Sequence, residues 1–210
     1  MSNSTRFSPY HLLAVVLGGI YMVAIAREWQ IVKYALKPAV TLLIAAPMSS
    51  PATRRIFRGL LFSALGDVFL MLPHEEMFLP GLLAFLAAHV LYAKEFGANA
   101  KSLGTRSRVS WTAIPYGVFA STMVAVLMPG AGKEGVVVQA GVVVYAVAIA
   151  VMAYRATLTG RSTAVLGTIF FCISDAVLAW DKFQQPLGWS ELAVMSTYYA
   201  AQLCIAQAYV

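Results

Sequence analysis

A chain of 210 residues that is 60% hydrophobic and only 11% charged has too little polar surface for a soluble domain, which carries about 25% charged residues. Its mean hydropathy of +0.74 and its continuous rather than alternating apolar runs also exclude a transmembrane β-barrel. The net charge of +6 comes from Lys and Arg in short loops between those runs, where they set topology and meet anionic headgroups rather than nucleic acid.

The pattern predicts an all-α integral membrane bundle, a single domain over residues 1–210 with eight transmembrane helices. Spans of roughly 16–20 residues reach ~24–30 Å at 1.5 Å per residue, enough for the hydrocarbon core. The first helix is expected over about 10–26, after Arg6. Its end, Ala24-Ile25-Ala26, imitates a signal-peptidase site, but seven further apolar runs favour an uncleaved span. The second, about 31–46, contains Lys37-Pro38 and stops at Pro47, Ser49, Ser50 and Pro51. Arg54, Arg55 and Arg58 lead into the third, whose core over 60–72, LLFSALGDVFLML, holds Asp67 and is closed by Pro73, Glu75 and Glu76. The fourth, about 77–96, carries His89 and Tyr92. A polar, basic loop over 97–110 precedes the fifth, about 111–128, which ends at Pro129-Gly130. The sixth is expected over about 135–154, the seventh over about 163–180 around Asp175, and the eighth over about 190–209. Tyr10, Trp29, Trp111, Trp180 and Trp189 fall at helix ends and read as an interfacial aromatic belt.

Ten of the fifteen Lys and Arg residues fall on one side of this arrangement: Arg6, Arg54, Arg55, Arg58, Lys94, Lys101, Arg106, Arg108, Arg155 and Arg161. Arg27, Lys33, Lys37, Lys133 and Lys182 fall on the other. The positive-inside rule then predicts a multi-pass protein of a bacterial-type cytoplasmic membrane with both termini in the cytoplasm. A short internal echo joins Gly66-Asp67-Val68-Phe69-Leu70 to Ser174-Asp175-Ala176-Val177-Leu178, each with a phenylalanine (Phe62, Phe170) five residues before the aspartate. At an offset of 108 residues, it points to two parallel four-helix halves related by an axis along the membrane normal.

The two aspartates are the costliest side chains in the chain, because a carboxyl inside a span costs roughly 2.5–3.5 kcal/mol on insertion scales. Counting from the expected helix starts, Asp67 and Asp175 lie ~15–18 Å deep from the cytoplasmic side, and Lys37 ~9 Å from the opposite face. His89, Tyr198 and Gln202 fall in or near the middle third, so these groups could converge on one polar cavity. Structural alternatives stand beside that reading. An ion pair with Lys37 would fix packing, although one ammonium cannot neutralise two carboxylates. Lys37 is equally placed to snorkel to the interface, and His89 to be an interior hydrogen-bonded histidine. Tyr92, Tyr198 and Gln202 suit helix-to-helix bonding, while Asp181 and Glu191 read as solvated. Cys172 and Cys204 lie inside spans and read as packing thiols. His11, His74 and His89 are scattered, and no metal-ligand spacing, phosphate loop or GxSxG elbow occurs.

With those residues in view, the chain resembles the YhhN-like family of membrane proteins, whose characterised members are lysoplasmalogenases. The resemblance rests on Lys37-Pro38, on Phe62-Ser63-Ala64-Leu65-Gly66-Asp67, and on Phe85-Leu86-Ala87-Ala88-His89-Val90-Leu91-Tyr92. Phe171-Cys172-Ile173-Ser174-Asp175-Ala176-Val177-Leu178-Ala179 and Tyr198-Tyr199-Ala200-Ala201-Gln202 extend it over nearly the whole chain. It implies hydrolysis of the vinyl-ether bond of a lysoplasmalogen, a lysophospholipid, to a fatty aldehyde and a glycerophospho-base, without cofactor or metal. A vinyl ether is cleaved by proton transfer to carbon, giving an oxocarbenium ion that water captures. This chemistry wants one neutral carboxylic acid, which apolar surroundings favour, and one carboxylate, the pairing that glycosidases bring to a similar cation. Asp67 and Asp175 are the expected pair, with the assignment of acid and base open. Lys37, His89, Tyr92, Tyr198 and Gln202 are the expected substrate-binding residues, and membrane lipids the expected surroundings.

Rival classes use the same residues less well. A proton-coupled transporter would also place carboxyls within the membrane. An intramembrane aspartyl protease would want glycine where this chain has Ala64, and a retinal receptor a lysine in the last helix, which has none.

Overall fold

The computed structural model describes residues 7–100 and 106–210, and these residues form α-helices, short 3-10 turns and no strand. The helices are α1 (Pro9–Ala26), α2 (Gln30–Ala45), α3 (Arg54–Met71), α4 (Phe78–Ala98), α5 (Arg106–Ala131), α6 (Val136–Thr159), α7 (Ser162–Phe183) and α8 (Ser190–Gln207). Arg6 and Lys101, counted in the charge asymmetry, lie outside the described residues, as do the side chains of Arg106, Arg108 and Glu75.

Helix starts and stops follow local chemistry. Ser8 caps α1, its hydroxyl accepting the Tyr10 amide, and Pro9 supplies the first turn. Gly160, at φ 67°, ends α6 in the left-handed conformation that glycine adopts at no steric cost. α3 begins earlier than its apolar core, at Arg54, because arginine is a good helix former and the preceding 3-10 turn at Pro51–Thr53 sets the entry. Asp67 and Asp175 therefore both stand 13 residues from their helix starts, ~20 Å along the axis. That is further along each helix than the apolar runs suggested.

Among the described residues six helical stretches are long and apolar enough to cross a membrane: Pro9–Ala26, Gln30–Met48, Phe78–Ala98, Trp111–Glu134, Val136–Thr159 and Ser162–Phe183. α3 and α8 are not among them. α3 carries three arginines and Asp67, and α8 carries Glu191, Gln202, Gln207 and two tyrosines. Leu12, Val16, Ile114, Val118, Val144 and Val147 are exposed on α1, α5 and α6, an apolar surface that suits lipid rather than water. Tyr10, Trp29, Trp111 and Trp189 are exposed too. The chain is a multi-pass membrane protein.

The helices α1 to α4 pack in sequence and so do α5 to α8, with α4 against α6 and α8 touching α1, α2 and α3. Small residues let the backbones close. A Cβ on Gly66 would sit 2.6 Å from the Phe85 ring, and one on Gly167 would meet Ile205 at 2.8 Å and the Ala201 carbonyl at 3.0 Å. The core is aromatic. The fully buried Phe171 ring lies 4.7 Å from His89, 5.7 Å from Tyr198, 6.4 Å from Phe85 and 6.5 Å from Tyr92.

Candidate active site

On α3 the residues at helical spacing, Gly59, Leu60, Ser63, Ala64, Gly66 and Asp67, form its buried face. Asp67 is thereby carried into the interior, 1% exposed. Two hydroxyls from other helices meet it there. Thr41 on α2 donates to Oδ2 at 3.0 Å and Tyr198 on α8 donates to the same oxygen at 2.8 Å, the two hydroxyl oxygens lying 3.2 Å apart.

Asp175 on α7 has a different shell. The Tyr145 phenol of α6 donates to Oδ2 at 2.7 Å, and His89 Nε2 of α4 stands 3.6 Å from that oxygen. His89 is fully buried, its ring edge-on to Tyr145 and Phe171. Neither ring nitrogen has a hydrogen-bond partner among the described residues.

Between the two carboxyls lies a cavity of about 300 Å³. Lys37, Asp67, Asp175, Lys182 and Tyr198 line it, with Phe78 and Phe85 as apolar wall. It is bordered by the C-terminal parts of α3 and α7 and the N-terminal parts of α2, α4 and α8. A second, almost wholly apolar slot runs between α4, α5, α6 and α7, lined by Leu82, Phe119, Met123, Tyr145 and Ile149. The slot and the cavity share Phe78, Asp175 and Leu178. Asp175 thus stands where an apolar channel meets a polar chamber.

Of the residues singled out in the sequence, Lys37, Asp67, Asp175 and Tyr198 border one cavity. His89 stands behind Asp175. Tyr92 and Gln202 do not line the cavity; the Tyr92 hydroxyl donates to Gln202 Oε1 at 2.8 Å and ties α4 to α8. Lys37 makes no ion pair with either aspartate, so the packing salt bridge weighed from sequence is not formed. Asp181 and Glu191 are not simply solvated. Asp181 accepts the Leu187 amide at 2.6 Å and lines the cavity, and Glu191 pairs with Lys33 at 2.6 Å. Cys172 and Cys204 are free thiols. Among the described residues no three His, Cys, Asp or Glu side chains gather as a metal site.

Sequence reasoning missed Thr41 and Tyr145. Thr41 is one turn on from Lys37, on the same face of α2. Tyr145 is a phenol deep in the most apolar helix, where a hydroxyl needs a partner. Both signals are visible only once the carboxyls are treated as acceptors in search of donors.

Residues 30–209 match the YhhN family model. Lysoplasmalogenase TMEM86A of Bos taurus is 36% identical over 169 residues, covering 76% of this chain and 66% of that protein. Lysoplasmalogenase TMEM86B of Sus scrofa is 36% identical over 166 residues, covering 79% of this chain and 68% of its own length. Lysoplasmalogenase TMEM86A of Homo sapiens is 34% identical over 169 residues, again 76% and 66%. The chain's match spans about two thirds of the length of these curated relatives. No solved structure matches the chain. A family match that opens on the first residue of α2, closes just past α8 and takes in every helix around the two carboxyls shows that the chain belongs to the YhhN family.

Proposed function

We propose that this protein is a lysoplasmalogenase, a hydrolase that cleaves the vinyl-ether bond of lysoplasmalogens with Asp67 and Asp175 as acid and base. The observation that carries the reading is that both aspartates border the same cavity, in a chain whose relatives are lysoplasmalogenases. The proton-coupled transporter drawn from the same carboxyls has no counterpart among the relatives named above.

The unequal shells support an assignment of the roles. Asp67 accepts two hydroxyl donors on one oxygen and shares its cavity with the Lys37 ammonium, surroundings that suit a carboxylate. Asp175 has one phenol donor, an unpaired imidazole behind it and the apolar slot beside it, surroundings that suit the neutral acid. The alkenyl chain lies in the slot, which brings the vinyl ether to Asp175. Asp175 protonates the vinyl carbon remote from oxygen, and the double-bond electrons form the new C–H bond. Water adds to the resulting oxocarbenium carbon as Asp67 takes its proton, giving a hemiacetal. The hemiacetal then loses its hydroxyl proton to Asp175, the bond to the glycerol oxygen breaks, and Asp67 returns its proton to that oxygen. Aldehyde and glycerophospho-base leave with both carboxyls restored.

The reading extends to the whole chain. All eight helices cross the membrane as one domain, α3 turning Leu61, Phe62, Leu65 and Val68 outward to lipid. The arginine-rich ends and both termini lie in the cytoplasm of a bacterial-type cell, and the repeated aspartate motif marks two parallel halves.

The test is aldehyde release from a vinyl-ether lysolipid by purified protein, with alkyl-ether and ester lysolipids as controls. Asp67→Asn and Asp175→Asn are each expected to lower turnover by roughly 10²–10⁴-fold while the protein remains folded in detergent. In D2O the aldehyde, trapped at once by borohydride, should carry one solvent deuterium on the carbon next to the former carbonyl. Near-normal turnover in both variants removes the catalytic assignment.

A further inference from the structure

A third pocket, of about 150 Å³, opens off the catalytic cavity at the N-terminal turns of α2 and α8. The two share Lys37 and Leu70, and the outer one adds Tyr21, Gln30, Lys33, Tyr34 and Glu191. Lys33 and Lys37 are four residues apart on α2 and therefore neighbours on one face. Lys33 Nζ lies 2.6 Å from Glu191 Oε2, and the Tyr21 hydroxyl donates to Glu191 Oε1 at 3.3 Å. Glu191 keeps 43% of its side chain exposed and Lys33 17%. Among the described residues Lys37 has no ion-pair partner.

Resting on the proposed lysoplasmalogenase activity, we infer that this outer pocket holds the zwitterionic phospho-base headgroup, the phosphate between Lys33 and Lys37 and the amine against Glu191. The order of the three compartments carries the assignment. Moving from the bundle interior outward, the protein presents an apolar slot, then Asp175 and Asp67, then Lys37, then the Lys33–Glu191 pair. A lysoplasmalogen presents an alkenyl chain, then the vinyl ether, then glycerol and a phosphate, then a cationic amine. Each compartment matches the lipid segment that reaches it, in polarity and in sign of charge. The Lys37 ammonium gains an anion, and Glu191, ion-paired with Lys33 through Oε2, offers the cation Oε1, whose partner is the neutral Tyr21 hydroxyl at 3.3 Å. Phosphate recognition at the mouth would also set how deep the lipid slides, and so which carbon faces Asp175.

Binding of uncleavable alkyl-ether lipids separates this inference from the question of turnover. The ligands are alkyl-glycerophosphoethanolamine, alkyl-glycerophosphate and alkylglycerol, titrated into the full chain in detergent by a tryptophan-fluorescence or calorimetric assay. The wild type is expected to bind the phosphoethanolamine lipid roughly tenfold or more tightly than alkylglycerol. In Lys37→Met and Lys33→Met that ratio collapses toward unity, whereas in Glu191→Gln the preference for phosphoethanolamine over bare phosphate collapses. Equal affinity of the wild type for all three ligands, or variants that weaken all three alike, overturns the inference. Effective competition by diacyl phosphatidylethanolamine, which carries the same headgroup on two chains, would mark a general lipid contact and overturn it as well. Absence of aldehyde release from any vinyl-ether lipid, with the headgroup ratios intact, would instead sink the enzymatic reading alone.

Discussion

At the residue scale the two carboxyls differ in their partners. Asp67 draws Thr41 from α2 and Tyr198 from α8, and Asp175 draws the Tyr145 hydroxyl. Removing the Tyr145 hydroxyl deprives Asp175 of its hydrogen-bond donor and lets the carboxyl swing. Tyr145→Phe is therefore expected to lower turnover of a vinyl-ether lysolipid by roughly tenfold, about the worth of one hydrogen bond to a reacting group. Equal kinetics in the variant would show that Tyr145 does not hold the proposed acid, Asp175. The Tyr92–Gln202 bond tells a different story, because it sits away from the cavity and joins two helices. Tyr92→Phe leaves a buried amide oxygen unpaired, at about 1–3 kcal/mol, and should appear as a lower melting temperature in detergent. The sequence made Asp67 and Asp175 conspicuous, since a charge in an apolar run is unmistakable. It left Thr41 and Tyr145 unremarked, since a hydroxyl in such a run is common and acquires meaning only from what it touches.

At the scale of elements, glycine sets how closely the helices approach. Gly66 stands immediately before Asp67, and Gly167 faces the α8 backbone. Gly167→Val would press a branched side chain against Ile205 and the Ala201 carbonyl, now 2.8 and 3.0 Å from where a Cβ would stand. The expected cost is about 1–3 kcal/mol of overpacking, together with displacement of Tyr198, which lies one turn before Ala201. Thermal unfolding would report the first and loss of turnover the second. A variant as stable and active as the wild type would mean that α7 and α8 separate freely. Helix existence was legible from apolar runs, but helix ends were not. Arginines at the start of α3 and the Asp181-Lys182-Phe183 turn of α7 continue their helices, so that the polar residues flanking a span belong to it.

At the scale of the whole molecule, charge and topology meet. Arg54, Arg55 and Arg58 gather at one end of α3 with Lys94 and Arg155 nearby, and the cavity opens toward the other end. Cysteines introduced at Ser162 and Gly188, both exposed, with the native thiols replaced, test the orientation. A membrane-impermeant maleimide applied to whole cells is expected to label the position at 188 and spare the one at 162; the reverse pattern would invert the topology. Composition and periodicity determined by themselves that this is a helical membrane protein, and a carboxyl in each of two distant apolar runs announced a polar interior, because lipid tolerates neither an open backbone nor a lone charge. Which groups share a chamber was decided only by the tertiary structure. Helical register fixes neighbours along one chain segment, but Tyr145, Tyr198 and Lys37 come from three separate helices, and only the packing of those helices sets what lies across the gap.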